Sequence, residues 1–128
     1  MKPEENIEEI YTKEEDIKKI TEKLKRFSFD KLKKRKYYEV SVLEKNTNEK
    51  ELADYFPKFD KIKMIFHRKR PSGYDNYDLH YEKRDGTYLV YAINLDKYPP
   101  ELINAFAAEK NFKNFSKIIA KKYWQKMI

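Results

Sequence analysis

The chain has 128 residues and a formal net charge of +7, which suits one domain with a single hydrophobic core. Charged residues make up 40% of it, yet aromatic residues reach 16%, and disordered chains hold few aromatics. The lack of Cys excludes disulfides and thiolate chemistry, and two Gly are too few for a Gly-rich phosphate loop. No apolar run approaches the roughly 20 residues of a membrane span, so we expect a cytoplasmic protein without a membrane partner.

Charge is unevenly distributed along the chain. Residues 1–16 carry seven acidic and two basic side chains, whereas residues 17–36 carry ten basic and two acidic ones. Two further basic blocks occur at 58–70 and 110–128, and the last of these has six Lys and no acid. The blocks predict a phosphate-binding surface if the fold brings them to one face, and a solvated Lys-rich surface if it does not.

The N-terminal part predicts an amphipathic helix. Thr12 and Glu15 have the spacing of a capping box, so we expect the helix to begin there. Apolar residues then recur every three or four positions to about residue 26. Residues 1–11 carry the same apolar period and either extend this helix or form a separate acidic segment.

The next part predicts a strand, a short helix and a second strand. Apolar and polar residues alternate over 36–43, as in a half-buried strand. Asn46 and Glu49 repeat the capping pattern ahead of a short helix that Pro57 ends. Alternation resumes over 61–67, which predicts another strand with its lysines on the outer face.

The C-terminal half predicts a hairpin followed by two helices. Two alternating runs, 77–84 and 87–94, flank an Asp-Gly pair, which is a strong hairpin signal. Helical apolar spacing follows over 100–111 and again over 112–123. Residues 1–128 are therefore expected to form one α+β domain: an antiparallel four-stranded sheet with the hairpin at its centre, and the N-terminal helix and two C-terminal helices packed on one face.

The segment 67–77 is the strongest candidate for contact with nucleic acid. It combines cations, a Pro-Ser-Gly turn and two Tyr, which suits phosphate neutralisation and base stacking on a single strand. Most cations of the chain are Lys, which neutralises phosphate as a point charge, so we expect binding of RNA or single strands with little sequence preference. The predicted contact residues are Lys31, Lys33, Lys34, Arg35, Arg68, Lys69, Arg70, Tyr74 and Tyr77.

A second hypothesis is a metal-independent endoribonuclease. In a strand over 78–84, period-two alternation places His80, Glu82 and Arg84 on one face. RNA cleavage without a metal needs a base, an acid and a cation for the developing negative charge, and these side chains have the required types. Two His and no Cys offer few metal ligands, so we predict neither a metal site nor a cofactor.

A third hypothesis is a protein-interaction module, such as an inhibitor from a virus or a mobile element. It would use the acidic N-terminus or a basic helix against a larger enzyme, and it predicts no affinity for nucleic acid at physiological salt. We favour nucleic-acid binding because clustered positive charge is the strongest clue in the sequence. The oligomeric state stays open.

Overall fold

The computed structural model describes residues 6–69 and 75–128, which form a mixed sheet of six strands with helices on both faces. The strands are β1 (Ile7–Tyr11), β2 (Lys33–Lys34), β3 (Ile62–Lys69), β4 (Asp75–Glu82), β5 (Tyr88–Asn94) and β6 (Glu101–Ala108). Their order in the sheet is β1-β3-β4-β5-β6-β2, and every neighbouring pair is antiparallel except β6 and β2. The α+β class is confirmed. The four-stranded antiparallel sheet is wrong, because segments expected to be helical or irregular supply β1, β2 and β6.

The described residues contain four α-helices, three of which the sequence predicts, including the short helix before Pro57. The helices are α1 (Glu14–Thr21), α2 (Lys36–Lys45), α3 (Glu49–Tyr55) and α4 (Phe112–Lys122). The predicted helices at α1 and α4 are confirmed, although Lys13, rather than Thr12, is the N-cap of α1 and makes no side-chain capping bond. Asn48, rather than Asn46, caps α3, where its side chain accepts a hydrogen bond from the Glu51 amide (3.1 Å).

The central hairpin is confirmed. β4 and β5 pair antiparallel from Tyr77 opposite Ile93 to Glu82 opposite Tyr88. Gly86 adopts φ +90 in the turn, a conformation that glycine reaches without strain. The Thr87 amide donates to the Asp85 carboxylate (2.9 Å) and closes the turn.

Residues 36–43 lie in α2, so the predicted strand is wrong there. Tyr38 and Ser41, three residues apart, are buried as on one helix face, whereas Val40 is 42% exposed. The Tyr38 hydroxyl donates to Glu49 Oε2 (2.9 Å) and thereby joins α2 to α3. The β propensity of Tyr and Val depends on the surface against which they pack, so tertiary contacts override it.

Residues 101–108 form β6 instead of the first of the two expected C-terminal helices. β6 pairs with β5, and the register shifts because Ala92 pairs with Asn104 whereas Ile93 pairs with Leu102, which leaves Ile103 as an extra residue in β6. Apolar residues spaced by three or four fit a bulged strand as well as a helix, because an extra residue breaks the period of two. α4 is then the one α-helix after β6 in the described chain.

The helices cover both faces of the sheet, so the expected one-sided packing is wrong. α1, α2 and α3 pack on the face that carries Leu79, Tyr81 and Tyr91, which we call the α1 face. α4 packs on the opposite face, which carries Phe66 and Val90, and we call it the α4 face.

The acidic N-terminal segment contributes an edge strand to the sheet. β1 pairs antiparallel with β3, and Ile7 and Ile10 are both buried in the core on the α4 face. A β-bulge between residues 7 and 9 lets two residues three apart face the same core, so their helix-like spacing is misleading. The C-terminus lies along this edge, where the Ile128 amide donates to the Ile10 carbonyl (2.9 Å).

Candidate functional site

The basic block at 31–36 lies at the β2 edge, and two of its cations interact within the fold. Lys34 Nζ donates to the Phe29 carbonyl (2.6 Å) and lies 4.6 Å from the centroid of the Phe29 ring. Burial lowers the pKa of Lys34. The Arg35 guanidinium lies 2.6 Å from the Glu101 carboxylate. These two charges therefore serve the packing of β2 against its surroundings.

The basic block at the end of β3 contains a buried ion pair. Arg68 and Asp78 lie on neighbouring strands and are 6% and 7% exposed. Arg68 Nε donates to Asp78 Oδ2. A cation buried and neutralised in this way contributes to the fold more directly than to a phosphate at the surface.

The structure does not bring the two basic blocks together. β3 is second and β2 is last in the sheet, so about four strand spacings, or roughly 19 Å, separate them. The exposed members of the predicted contact set are Lys31, Lys33 and Lys69. Arg70 and Tyr74 lie outside the described residues.

One side of the Tyr77 ring, which is predicted to stack on a base, is already covered by another ring. Its ring stacks on the His67 ring with centroids 4.8 Å apart and an interplanar angle of 9°. His67 lies between two carboxylates, with Nδ1 3.2 Å from Glu9 and Nε2 3.4 Å from Asp75. Burial, followed by the charges of Asp75 and Asp96, raises the pKa of Tyr77, which therefore stays neutral.

The three predicted catalytic residues differ in how deeply they are buried. His80 is 3% exposed, and its ring centroid lies 4.4 Å from that of Phe66 and 5.6 Å from that of Phe115 on α4. Its Nδ1 donates to the Met64 carbonyl (3.1 Å), and burial lowers the pKa of His80 to about 4. Glu82 is half-buried and Arg84 is exposed at the hairpin end. The catalytic role stays a prediction, and this geometry does not favour it because α4 separates His80 from solvent.

Polar side chains that the sequence analysis did not single out lie near the Arg68–Asp78 pair on the α4 face. Asn76 on β4 lies directly opposite Arg68 on β3. In the next row of the sheet, Asp78 on β4 pairs with Ala92 on β5, and Ala92 pairs with Asn104 on β6. The buried atoms without a hydrogen-bond partner in the described chain include Asn76 Oδ1, Asp78 Oδ1, Asn94 Nδ2 and Asn104 Oδ1. Buried polar atoms of this kind usually bind ordered water. The part of the α4 face around the Arg68–Asp78 pair is thus polar, and its stability depends on how these groups are paired.

The outer side of α4 carries a row of lysines. Phe112 and Ile119 are buried against the sheet, whereas Lys113, Lys117 and Lys121 are exposed at intervals of four residues. Successive members are about 6 Å apart along the helix axis. None of the three forms a salt bridge with any residue in 6–69 or 75–128. We call these three residues the α4 lysine row. The acid-free block at 110–128 was the signal for it in the sequence.

Exposed apolar side chains flank the α4 lysine row. Ile118 is 61% exposed in the same helix, and Trp124 is 67% exposed just after it. The Lys122 ammonium lies 5.4 Å from the centroid of the Tyr123 ring. Large exposed aromatic groups beside cations are typical of surfaces that bind single-stranded nucleic acid.

Comparison with known proteins adds no functional assignment. No protein-family model, curated protein or solved structure shows significant similarity to the chain, so its function has to be inferred from its own side chains. No helix in the described ranges is long and apolar enough to cross a membrane. Those same ranges contain no group of three His, Asp or Glu placed to hold a metal ion.

Proposed function

We propose that this protein binds RNA or another single-stranded nucleic acid, largely without sequence preference, through the α4 lysine row. The observation that carries the proposal is the set of exposed cations at Lys113, Lys117 and Lys121, which form no salt bridge with the rest of the described chain. Cations in a row neutralise successive phosphates and release the counterions that condense on a polyanion.

A comparison with α1 supports this proposal. On and just after α1, Lys18 pairs with Glu14 (3.1 Å) and Lys25 pairs with Glu22 (3.2 Å). The block at 110–128 has no acid that could pair in this way. Like charges four residues apart on a helix repel each other, so a bound polyanion stabilises α4 by neutralising them.

The side chains of this surface also favour weak sequence preference. Lys contacts a phosphate as a point charge and reads no base edge, whereas Arg binds guanine in a bidentate manner. Trp124 offers a flat ring on which any base can stack. Lys31, Lys33 and Lys69, which lie elsewhere on the surface, add long-range attraction.

Neutralising the α4 lysine row should weaken binding and reduce its salt dependence. For Lys113→Gln, Lys117→Gln and Lys121→Gln combined, loss of three phosphate contacts lowers the slope of log K against log salt by about 2. This corresponds to roughly 100-fold weaker binding at 0.1 M salt. Fluorescence anisotropy with a labelled single-stranded RNA over a salt series measures both quantities.

A matched variant controls for net charge. Lys45→Gln, Lys50→Gln and Lys58→Gln remove the same three charges from exposed positions in or near α2 and α3, on the other side of the sheet. We expect this variant to keep most of the affinity and nearly the whole slope. Equal losses in the two variants would contradict a specific α4 surface, and no binding by the wild type at low salt would contradict nucleic-acid binding itself.

A further inference from the structure

A cavity of about 290 Å³ lies beside α1, next to the end of β1 and the residues that follow β5. Tyr11 and Tyr77 form part of its wall, and the half-buried Ile20 and the buried Leu95 add apolar surface. Its volume is just below the range of roughly 300–1,000 Å³ that is typical of small-molecule sites. The cavity is therefore at the small end for such a site and matches a ligand no larger than one nucleotide.

Four charged side chains line the same cavity. Asp16, Lys19 and Lys23 come from one face of the helical segment that begins with α1, and Asp96 follows β5. None of the four takes part in a salt bridge with another described residue, although two neighbouring lysines of this segment do. Two cations and two carboxylates thus line the cavity without an ion-pair partner.

The two tyrosine rings are held in place by the sheet. The Tyr11 hydroxyl donates to Glu9 Oε1 (2.8 Å), and burial together with this bond raises the pKa of Tyr11 to about 12. Tyr77 stacks on His67, whose Nδ1 lies 3.2 Å from the same Glu9 oxygen. Both rings are already fixed before a ligand binds. They therefore offer an apolar wall, and binding does not incur the entropic cost of ordering these side chains.

We propose that this cavity binds one nucleotide whose base carries an exocyclic amino group, an inference that rests on the proposed nucleic-acid binding and adds base recognition to it. Lys19 and Lys23, one helical turn apart, match a phosphate group, which offers several charged acceptor oxygens at once. The tyrosine and aliphatic walls supply the surface for base stacking.

The carboxylates provide the selectivity for the base. An ionised carboxylate only accepts hydrogen bonds, so Asp16 and Asp96 favour a base edge with an amino group, as in cytosine. Uracil has a carbonyl oxygen at the equivalent position, which a carboxylate repels. The cavity therefore distinguishes cytidine from uridine nucleotides, which are otherwise similar in size and stacking.

Calorimetric titration of the full chain with three small probes tests the inference. We expect cytidine monophosphate to bind about tenfold more tightly than uridine monophosphate, in keeping with one carboxylate-to-amino contact. Cytidine without the phosphate should also bind more weakly, because it lacks the group that the lysines hold. Similar affinities for all three probes, or no saturation at about 10 mM cytidine monophosphate, would overturn the proposal.

Variants assign the binding to the cavity. Lys19→Gln with Lys23→Gln should weaken cytidine monophosphate about tenfold, whereas Lys18→Gln with Lys25→Gln, a matched pair whose lysines bind glutamates, should leave it unchanged. For Asp96→Asn, we expect cytidine monophosphate and uridine monophosphate to bind with nearly equal affinity. Unchanged binding in the Lys19 and Lys23 variant would place the ligand elsewhere and overturn the proposal.

The oligonucleotide salt series separates this inference from the proposed function. If the cavity does not bind nucleotides, the Lys19 and Lys23 variant keeps the salt slope that depends on α4. If α4 does not bind the strand, the slope is insensitive to the α4 variant while the monophosphate titrations still report on the cavity.

Discussion

Arg68→Met alone should destabilise the fold by about 3–5 kcal/mol, because it leaves the Asp78 carboxylate buried without its partner. Both side chains are more than nine-tenths buried, and Asp78 Oδ1 has no hydrogen-bond partner within the described residues even in the intact pair. Met keeps a long side chain beside the Phe66 ring in place of the Arg68 guanidinium, whose carbon lies 5.6 Å from the ring centroid. Urea unfolding followed by circular dichroism measures the difference.

The double variant shows whether the Arg68–Asp78 pair adds net stability or only avoids the cost of an unpaired buried charge. Arg68→Met with Asp78→Leu removes both charges, and we expect it to recover most of the loss or to exceed wild-type stability. Lys69→Met, at the exposed neighbouring position, should change the free energy of unfolding by less than about 0.5 kcal/mol. A double variant as unstable as the single one would show that the pair itself contributes the stability.

The second large effect is a loss of stability at low pH that depends on His80. The pKa of His80 in the fold is lowered from 6.5 to about 4, mainly by burial, so the unfolded chain binds a proton more readily. The stability linked to His80 is fully present above pH 6.5, falls as the pH decreases towards 4 and changes little below that. The total change is on the order of 3 kcal/mol.

The variant His80→Phe should remove this part of the pH dependence. Phe fits among the rings of Phe66, Tyr88 and Phe115 but gives up the hydrogen bond to the Met64 carbonyl. We therefore expect lower stability at pH 7 and a flatter profile between pH 6.5 and 4, measured as the free energy of unfolding in urea. His67→Gln serves as a control that retains the His80 contribution. A profile for His80→Phe as steep as that of the wild type would contradict this role.

These two predictions bear on the choice between functions. If Arg68 and His80 act mainly in stability, then reduced binding or activity in their variants has to be measured on protein shown to be folded. The substituted side chains of the α4 lysine row and of the cavity are exposed, so their variants test function with little effect on folding.

The sequence correctly predicted the elements whose residue pattern fits only one kind of secondary structure. The Asp-Gly pair between two alternating runs identifies the β4–β5 hairpin because that turn needs a residue with positive φ, which Gly86 supplies. The apolar stripe of α4, with Ile119 inward and Lys117 outward, identified both the helix and its charged side. The acid-free composition of 110–128 was visible in the same way.

Ambiguous patterns were decided by tertiary packing. Residues 36–43 and 101–108 each have apolar spacings that fit a helix or a strand, and the neighbours that they meet selected the opposite of the expected structure in both cases. An extra residue in β6 explains part of the second case, as one in β1 explains the helix-like spacing of Ile7 and Ile10, because it changes which side chains share a face.

The sequence by itself determined the α+β class, the central hairpin, the amphipathic terminal helix and the excess of lysines over acids in 110–128, because each depends on residues close together in the chain. Only the tertiary structure decided that Arg68 and His80 are buried and that the basic blocks at β2 and β3 lie apart. It also decided that α1, Tyr77 and Asp96 enclose one cavity. These properties depend on the order of strands in the sheet and on which face each helix covers, and periodicity along the chain carries no information about either.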